Sequence, residues 1–247
     1  MSYILEVCAD SVQSAVAAQE GGAGRVELCS ALVIGGLSPS AAMFRQVKEN
    51  TDLKIRVLLR PRFGDFCYDE YEFQTLAEEV QQFRVLGADG VVIGILKPAG
   101  TINMEQMAEL VNAAKRIGIT MHRAFDVCSN PYEALEQCVS LGIDTILTSG
   151  QRSCAWEGRE LLSELVRRAD GRIDILAGAG IGPEVIRELA DYTGVRSFHM
   201  SGKKVLDSRM EFRRSGVPMG IPGFSEFEIW QTDADQVRRA VEILKER

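Results

Sequence analysis

Short apolar runs alternate along the chain with longer stretches in which apolar residues recur every three or four positions. Eight runs have strand character: YILEVCA (3–9), RVELCS (25–30), IRVLLRP (55–61), GVVIGIL (90–96), ITMHRAF (119–125), TILTSG (145–150), IDILAGAG (173–180) and RSFHMSG (196–202). Runs this short, bounded by turn residues, suit buried strands. Helical spacing is clearest at Phe73, Leu76, Val80 and Phe83, and again at Val237, Ala240, Val241 and Leu244. Asn130-Pro131 and Gly182-Pro183 suit helix starts, and Thr232 with Asp235 suits a cap on the last helix. Gly87, Gly118 and Gly142 fall where helices should end. Eight strand–helix repeats in 247 residues predict one (β/α)8 TIM barrel domain over 1–247. A doubly wound sheet is the alternative, but its first strand, ILEVCADSVQSA, lacks the glycine fingerprint. One segment breaks the rhythm. Residues 203–231, rich in Arg, Gly and Pro, are expected to form an irregular connection across the mouth or a subunit interface.

Strand alternation places the chemistry. Glu6 and Cys8 share a face, as do Glu27 and Cys29. The inward register is expected, because the outward one would bury both carboxylates among apolar helices. Each thiol then stands one layer closer to the C-terminal mouth than its carboxylate. Arg60 and Arg62 share a parity, as do His122, Ala124 and Asp126, and as do His199 and Ser201. Both histidines of the chain fall at C-terminal strand ends, where barrel sites are built. Gly178 and Gly180 allow close backbone approach to an anion, with a hydroxyl from Thr148 or Ser149 nearby. Structural readings stand beside these: Arg60 and Glu27 as a buried ion pair, free cysteines as small apolar residues, and glycines as turn formers. Cys138 lies on an apolar helix face and reads as packing.

Composition narrows the classes. An apolar fraction of 46% fills a sizeable core, and a net charge of -7 argues against nucleic acid or an anionic membrane as partner. No apolar run approaches a membrane span. Six cysteines without a CxxC or a regular framework favour reduced thiols in the cytoplasm.

Taken together, ILEVCADSVQSA, RVELCS, GGLSPS, RPRFGDFCY, HRAFD, LTSG, AGAG and RMEFRR resemble the copper homeostasis protein CutC family, in the family's order and over nearly the whole chain. The resemblance implies a cytoplasmic, homo-oligomeric barrel that binds Cu(I), with Cys8 and Cys29 as metal ligands. Soft Cu(I) suits a thiolate pair. The chain departs from the family pattern at Ile34, where an acidic residue is common, and at Phe63, where glycine is common and where the larger ring is expected to narrow the mouth. Cys67 and Cys128 are candidate additional thiols. The alternative is a barrel enzyme, of isomerase or lyase type, acting on a small phosphorylated or carboxylated metabolite. Its candidate catalytic residues are Glu27, Arg60, His122 and Asp126, and its candidate anion-binding residues are Glu6, Arg62, Ser149, Gly178, Gly180, His199 and Ser201.

Overall fold

The structure, a computed structural model, describes residues 3–217 and 219–246. Eight parallel strands close into a barrel in chain order: β1 (Ile4–Ala9), β2 (Arg25–Leu28), β3 (Lys54–Leu58), β4 (Gly90–Ile93), β5 (Gly118–Met121), β6 (Thr145–Thr148), β7 (Asp174–Ala177) and β8 (Ser197–Met200), with β8 paired back to β1. The surrounding helices are α1 (Val12–Glu20), α2 (Ala41–Asn50), α3 (Glu70–Leu86), α4 (Met104–Ala114), α5 (Pro131–Ser140), α6 (Arg159–Ala169), α7 (Pro183–Thr193) and α8 (Ala234–Lys245). This is the expected (β/α)8 barrel. No helix among the described residues is long and apolar enough to cross a membrane.

Local chemistry explains most boundaries. Asp69 and Glu72 form a reciprocal capping box that starts α3, satisfying amide donors that the first turn leaves open. Gly87 ends α3 in the left-handed region, where a side chain would be strained. Gly118 does not end a helix. It opens β5, and a Cβ there would come within 2.8 Å of Arg56 Nη2. The cap of α8 is Asp233, whose side chain accepts from the Asp235 amide, whereas Thr232 is buried and donates to the Ser201 carbonyl.

The fifth strand is shorter than its apolar run. His122 Nδ1 accepts the Ala124 N–H at 3.1 Å and caps a 3₁₀ turn over Arg123–Val127, so the alternation assumed through Asp126 stops at His122. The segment after β8 is also more regular than expected. Its ends pair as β9 (Lys203–Asp207) and β10 (Glu228–Thr232), an antiparallel ribbon outside the barrel.

Apolar side chains fill the space between barrel and helices. Phe73, Leu76, Val80 and Phe83 form the buried face of α3, and Phe83 meets Phe44 edge-on at 5.5 Å. Inside the barrel the N-terminal half is polar. Glu6 is fully buried and pairs with Arg25, its Oε2 lying 2.5 Å from Nε. Arg56 donates to Thr120, to Thr145 at 3.2 Å and to Asp144 at 2.7 Å. These contacts offset the desolvation of charges enclosed by the strands.

Candidate functional site

Above that polar floor, β1 and β2 bring two thiols together. The pairing register sets Glu6 beside Arg25 and Cys8 beside Glu27, so the two Glu-x-Cys motifs are staggered by one layer. Glu6, Cys8, Glu27 and Cys29 are all buried, in the inward register. Cys8 Sγ lies 3.8 Å from Cys29 Sγ and 3.7 Å from Glu27 Oε1. Leu58, Val92 and Leu32 pack around the sulfurs. Gly36 closes over them, with φ +86 and space for a Cβ only 3.7 Å from Cys29 Sγ and 2.7 Å from Leu58 Cδ2. Only glycine fits such a turn unstrained.

His199 completes the cluster. Its Nδ1 is 2.8 Å from Glu6 Oε1, which leaves Nε2 for the cluster, and one ligand atom each from Cys8, Glu27 and His199 lies within 4.8 Å of the others. Burial opposes charge on His199, but Glu27, Cys8 and Glu6 together hold its pKa well above the usual histidine value. Burial also acts against the Glu6 carboxylate, yet His199 and Arg25 outweigh it and bring Glu6 down to about 2. Burial pushes Glu27 up to about 7. The Cys29 contact, reinforced by burial, raises the Cys8 thiol. A thiol and an imidazolium each give up a proton to bind a metal, and sulfur is the softer ligand. The sulfur pair is therefore the softer and better-suited donor set.

The cluster lies in one wall of a pocket of about 290 Å³ at the C-terminal mouth, lined also by Arg60, Phe66, His122, Arg123, Gly180 and Ser201. A larger depression of about 720 Å³ opens at the other end, beside Tyr3, Arg25 and Lys54. It gathers no thiol, carboxylate or histidine, so its size is not a functional argument.

Arg60 is buried and does not pair with Glu27. It donates to the carbonyls of Gly35, Gly36 and Gly64, and its Nε is buried without a partner. Arg60 Cζ lies 4.9 Å from the Phe66 centroid, and the Phe66 and His122 rings are 4.7 Å apart. Burial and the Arg60 charge push His122 down to about 3, so the imidazole is neutral. Because Nδ1 accepts the Ala124 amide, the proton sits on Nε2, which is buried and unpartnered.

Other sequence candidates sit elsewhere. Beyond β3 the chain no longer alternates, and Arg62 turns outward to Asp65 and Glu72. Asp126 points into the loop after β6, accepting from Thr148, from Ser149 and from the Gln151 amide while pairing with Arg123. Ser149 and Gly178 are buried and do not line the pocket, and a Cβ on Gly178 would strike Leu147 at 2.5 Å. Phe63 is 68% exposed and does not narrow the mouth. Cys128 is held by Gln151, Cys67 is half-buried outside the pocket, and Cys138 is fully packed. The sequence reading passed over Arg25, Arg56 and Arg123. The first two share the inward parity of Glu27 and Arg60, a signal that was available.

The comparisons with known proteins agree with this architecture. The profile of the CutC family matches residues 3–204. A CutC family protein of Parabacteroides distasonis is 45% identical over 240 residues, covering 96% of this chain and 99% of the relative. The mouse protein named copper homeostasis protein cutC homolog is 40% identical over 245 residues, covering 99% of this chain and 90% of its own. The crystal structure of a Streptococcus agalactiae CutC protein superposes with a TM-score of 0.76 at 29% identity, covering 81% of this chain and 98% of that one. A thiamine phosphate pyrophosphorylase of Pyrococcus furiosus, at TM-score 0.59 and 18% identity over 99% of this chain and 96% of its own, shares the fold alone. With a family profile spanning most of its length and relatives this similar from end to end, the chain belongs to the CutC family.

Proposed function

We propose that this protein serves copper homeostasis in the cytoplasm by holding Cu(I) as cargo between Cys8 and Cys29. The observation that carries this reading is the 3.8 Å separation of the two sulfurs. Two metal–sulfur bonds of about 2.3 Å each span at most ~4.6 Å, so one ion fits between these thiolates with a bent geometry. The apolar collar of Leu58 and Val92 suits a soft, low-coordinate ion and disfavours hydrated hard cations. Six unpaired cysteines suit a reducing compartment, and the mouse relative's name points to copper. The exposed apolar side chains of the arm between β9 and β10, among them Phe212, Met219 and Phe224, support a homo-oligomer joined there. X-ray absorption at the copper edge of anaerobically loaded protein tests the site. Two sulfur scatterers are expected, falling to one in Cys29→Ser, and a shell dominated by nitrogen and oxygen contradicts the proposal.

One observation favours a second reading, a barrel enzyme of isomerase or lyase type. Beside the thiols, Glu27 has a pKa near neutrality, the poise expected of a general acid or base, and it shares its pocket with the unpartnered donors of Arg60 and His122.

A further inference from the structure

The wall of the mouth away from the thiols holds a guanidinium and an imidazole whose hydrogen-bonding capacity is not used up. Arg60 spends both Nη groups on backbone carbonyls, and these neutral acceptors do not balance its charge. No carboxylate lies within ion-pairing distance of it among the described residues. A buried cation without a counter-ion is costly, and its Nε–H is also a buried donor without an acceptor. His122 repeats the pattern, because its neutral ring presents Nε2–H with nothing to receive it. Phe66 contacts both groups, its ring centroid lying 4.7 Å from that of His122 and 4.9 Å from Arg60 Cζ, so both are held in place before any ligand arrives.

The far side of the pocket is made by the turn after β7, the strand diametrically opposite β3 in an eight-stranded barrel. Ala179 and Gly180 there both have positive φ, 71 and 70, and Ala179 is a residue type that avoids this region. The amide groups of Ala179, Gly180 and Ile181 meet no acceptor among the described residues, and all three residues line the pocket. Backbone donors in this loop are where barrels commonly hold anions. At about 290 Å³ the space equals that of roughly ten water molecules, which bounds the ligand's size.

We infer that the mouth binds a small organic anion, a carboxylate or phosphate on a skeleton of a few carbons, with its oxyanion beside the uncompensated Arg60 charge and His122 and its remainder reaching towards the free amides of Ala179–Ile181. The inference deepens the enzyme reading and does not depend on copper. It supplies the counter-charge that Arg60 lacks.

Calorimetric titration of the metal-free full-length protein tests it, with glycerol 3-phosphate and glycerate as the two anions and glycerol as their neutral counterpart. Saturable binding of at least one anion is expected, with none of glycerol, and the preferred anion tells phosphate from carboxylate. Arg60→Met should abolish binding. His122→Phe, which keeps the ring stack but removes the donor, should weaken it roughly tenfold. Should Arg60→Met fail to fold because three carbonyls lose their donor, Arg60→Lys decides, since it retains the charge but not the planar fork that those carbonyls hold in place, and should still weaken binding at least about tenfold. No binding of either anion, or equal binding by wild type and the Arg60 variants, overturns the inference. Because no metal is present, these outcomes are separate from the fate of the copper site.

Discussion

Replacing His122 with asparagine removes one titrating group and keeps the local backbone intact. Asparagine can still accept the Ala124 amide, as His122 Nδ1 does, so the cap on the 3₁₀ turn survives. Burial and the neighbouring Arg60 lower the His122 pKa from 6.5 to about 3. The unfolded chain therefore takes up a proton near pH 6.5, while the folded protein refuses it until near pH 3. Stability must fall as pH drops through this window, by about 1.4 kcal/mol per unit. Between pH 6.5 and 5 the loss from this residue alone is about 2 kcal/mol. Glu27 acts in the other direction, since its raised pKa, about 7, lets the folded protein bind a proton first as pH falls. That contribution is common to wild type and variant and cancels in their difference. Urea unfolding of both proteins at pH 7, 6 and 5 measures the difference directly. The variant carries a constant penalty from lost packing against Phe66, and its disadvantage should shrink by about 2 kcal/mol on going to pH 5. Parallel pH profiles would refute a buried, neutral His122.

Other expectations follow from the same contacts. Glu6→Gln leaves Arg25 and His199 facing each other without their shared counter-charge, and should cost about 3–5 kcal/mol in urea unfolding at pH 7. A loss below about 1 kcal/mol would mean the polar floor is not held by that carboxylate. Asp126→Asn disturbs the acceptor for the loop after β6; a loss of about 2–3 kcal/mol is expected, with faster amide exchange at Ser149 and Gln151 as the specific sign. Gly94→Ala would set a Cβ 2.5 Å from His122 Cε1, so it should destabilise by about 1–3 kcal/mol and shift the His122 ring resonances. Glutamate at both Phe212 and Met219, each well exposed on the arm, should leave the unfolding free energy within about 0.5 kcal/mol of wild type, and under the proposed homo-oligomer it should lower the sedimentation coefficient.

The barrel was legible because each strand, buried on both faces, is a short apolar run, and because Phe73, Leu76, Val80 and Phe83 step through one face of α3. The neighbouring thiols were legible too, since parity ties them to Glu6 and Glu27, and the cost of burying those carboxylates among apolar helices puts all four side chains inside. Parity could not reveal the stagger between β1 and β2 that sets Cys8 level with Glu27, because strand offset in a closed barrel is a property of all eight strands together. Alternation also failed where strands end. His122 begins a 3₁₀ turn and Arg62 lies in a loop, so Asp126 and Arg62 leave the faces that counting by twos assigned to them. The ribbon of β9 and β10 escaped notice because neither strand is buried enough to show a clean apolar pattern.

Whether one copper ion sits between Cys8 and Cys29 is decided by anaerobic titration of Cu(I) against a chromogenic chelator, with wild type beside Cys8→Ser and Cys29→Ser. One tightly held equivalent in wild type, lost in both variants, is the predicted result. Weak binding in wild type, or binding unchanged in either variant, would contradict a copper site between these two sulfurs.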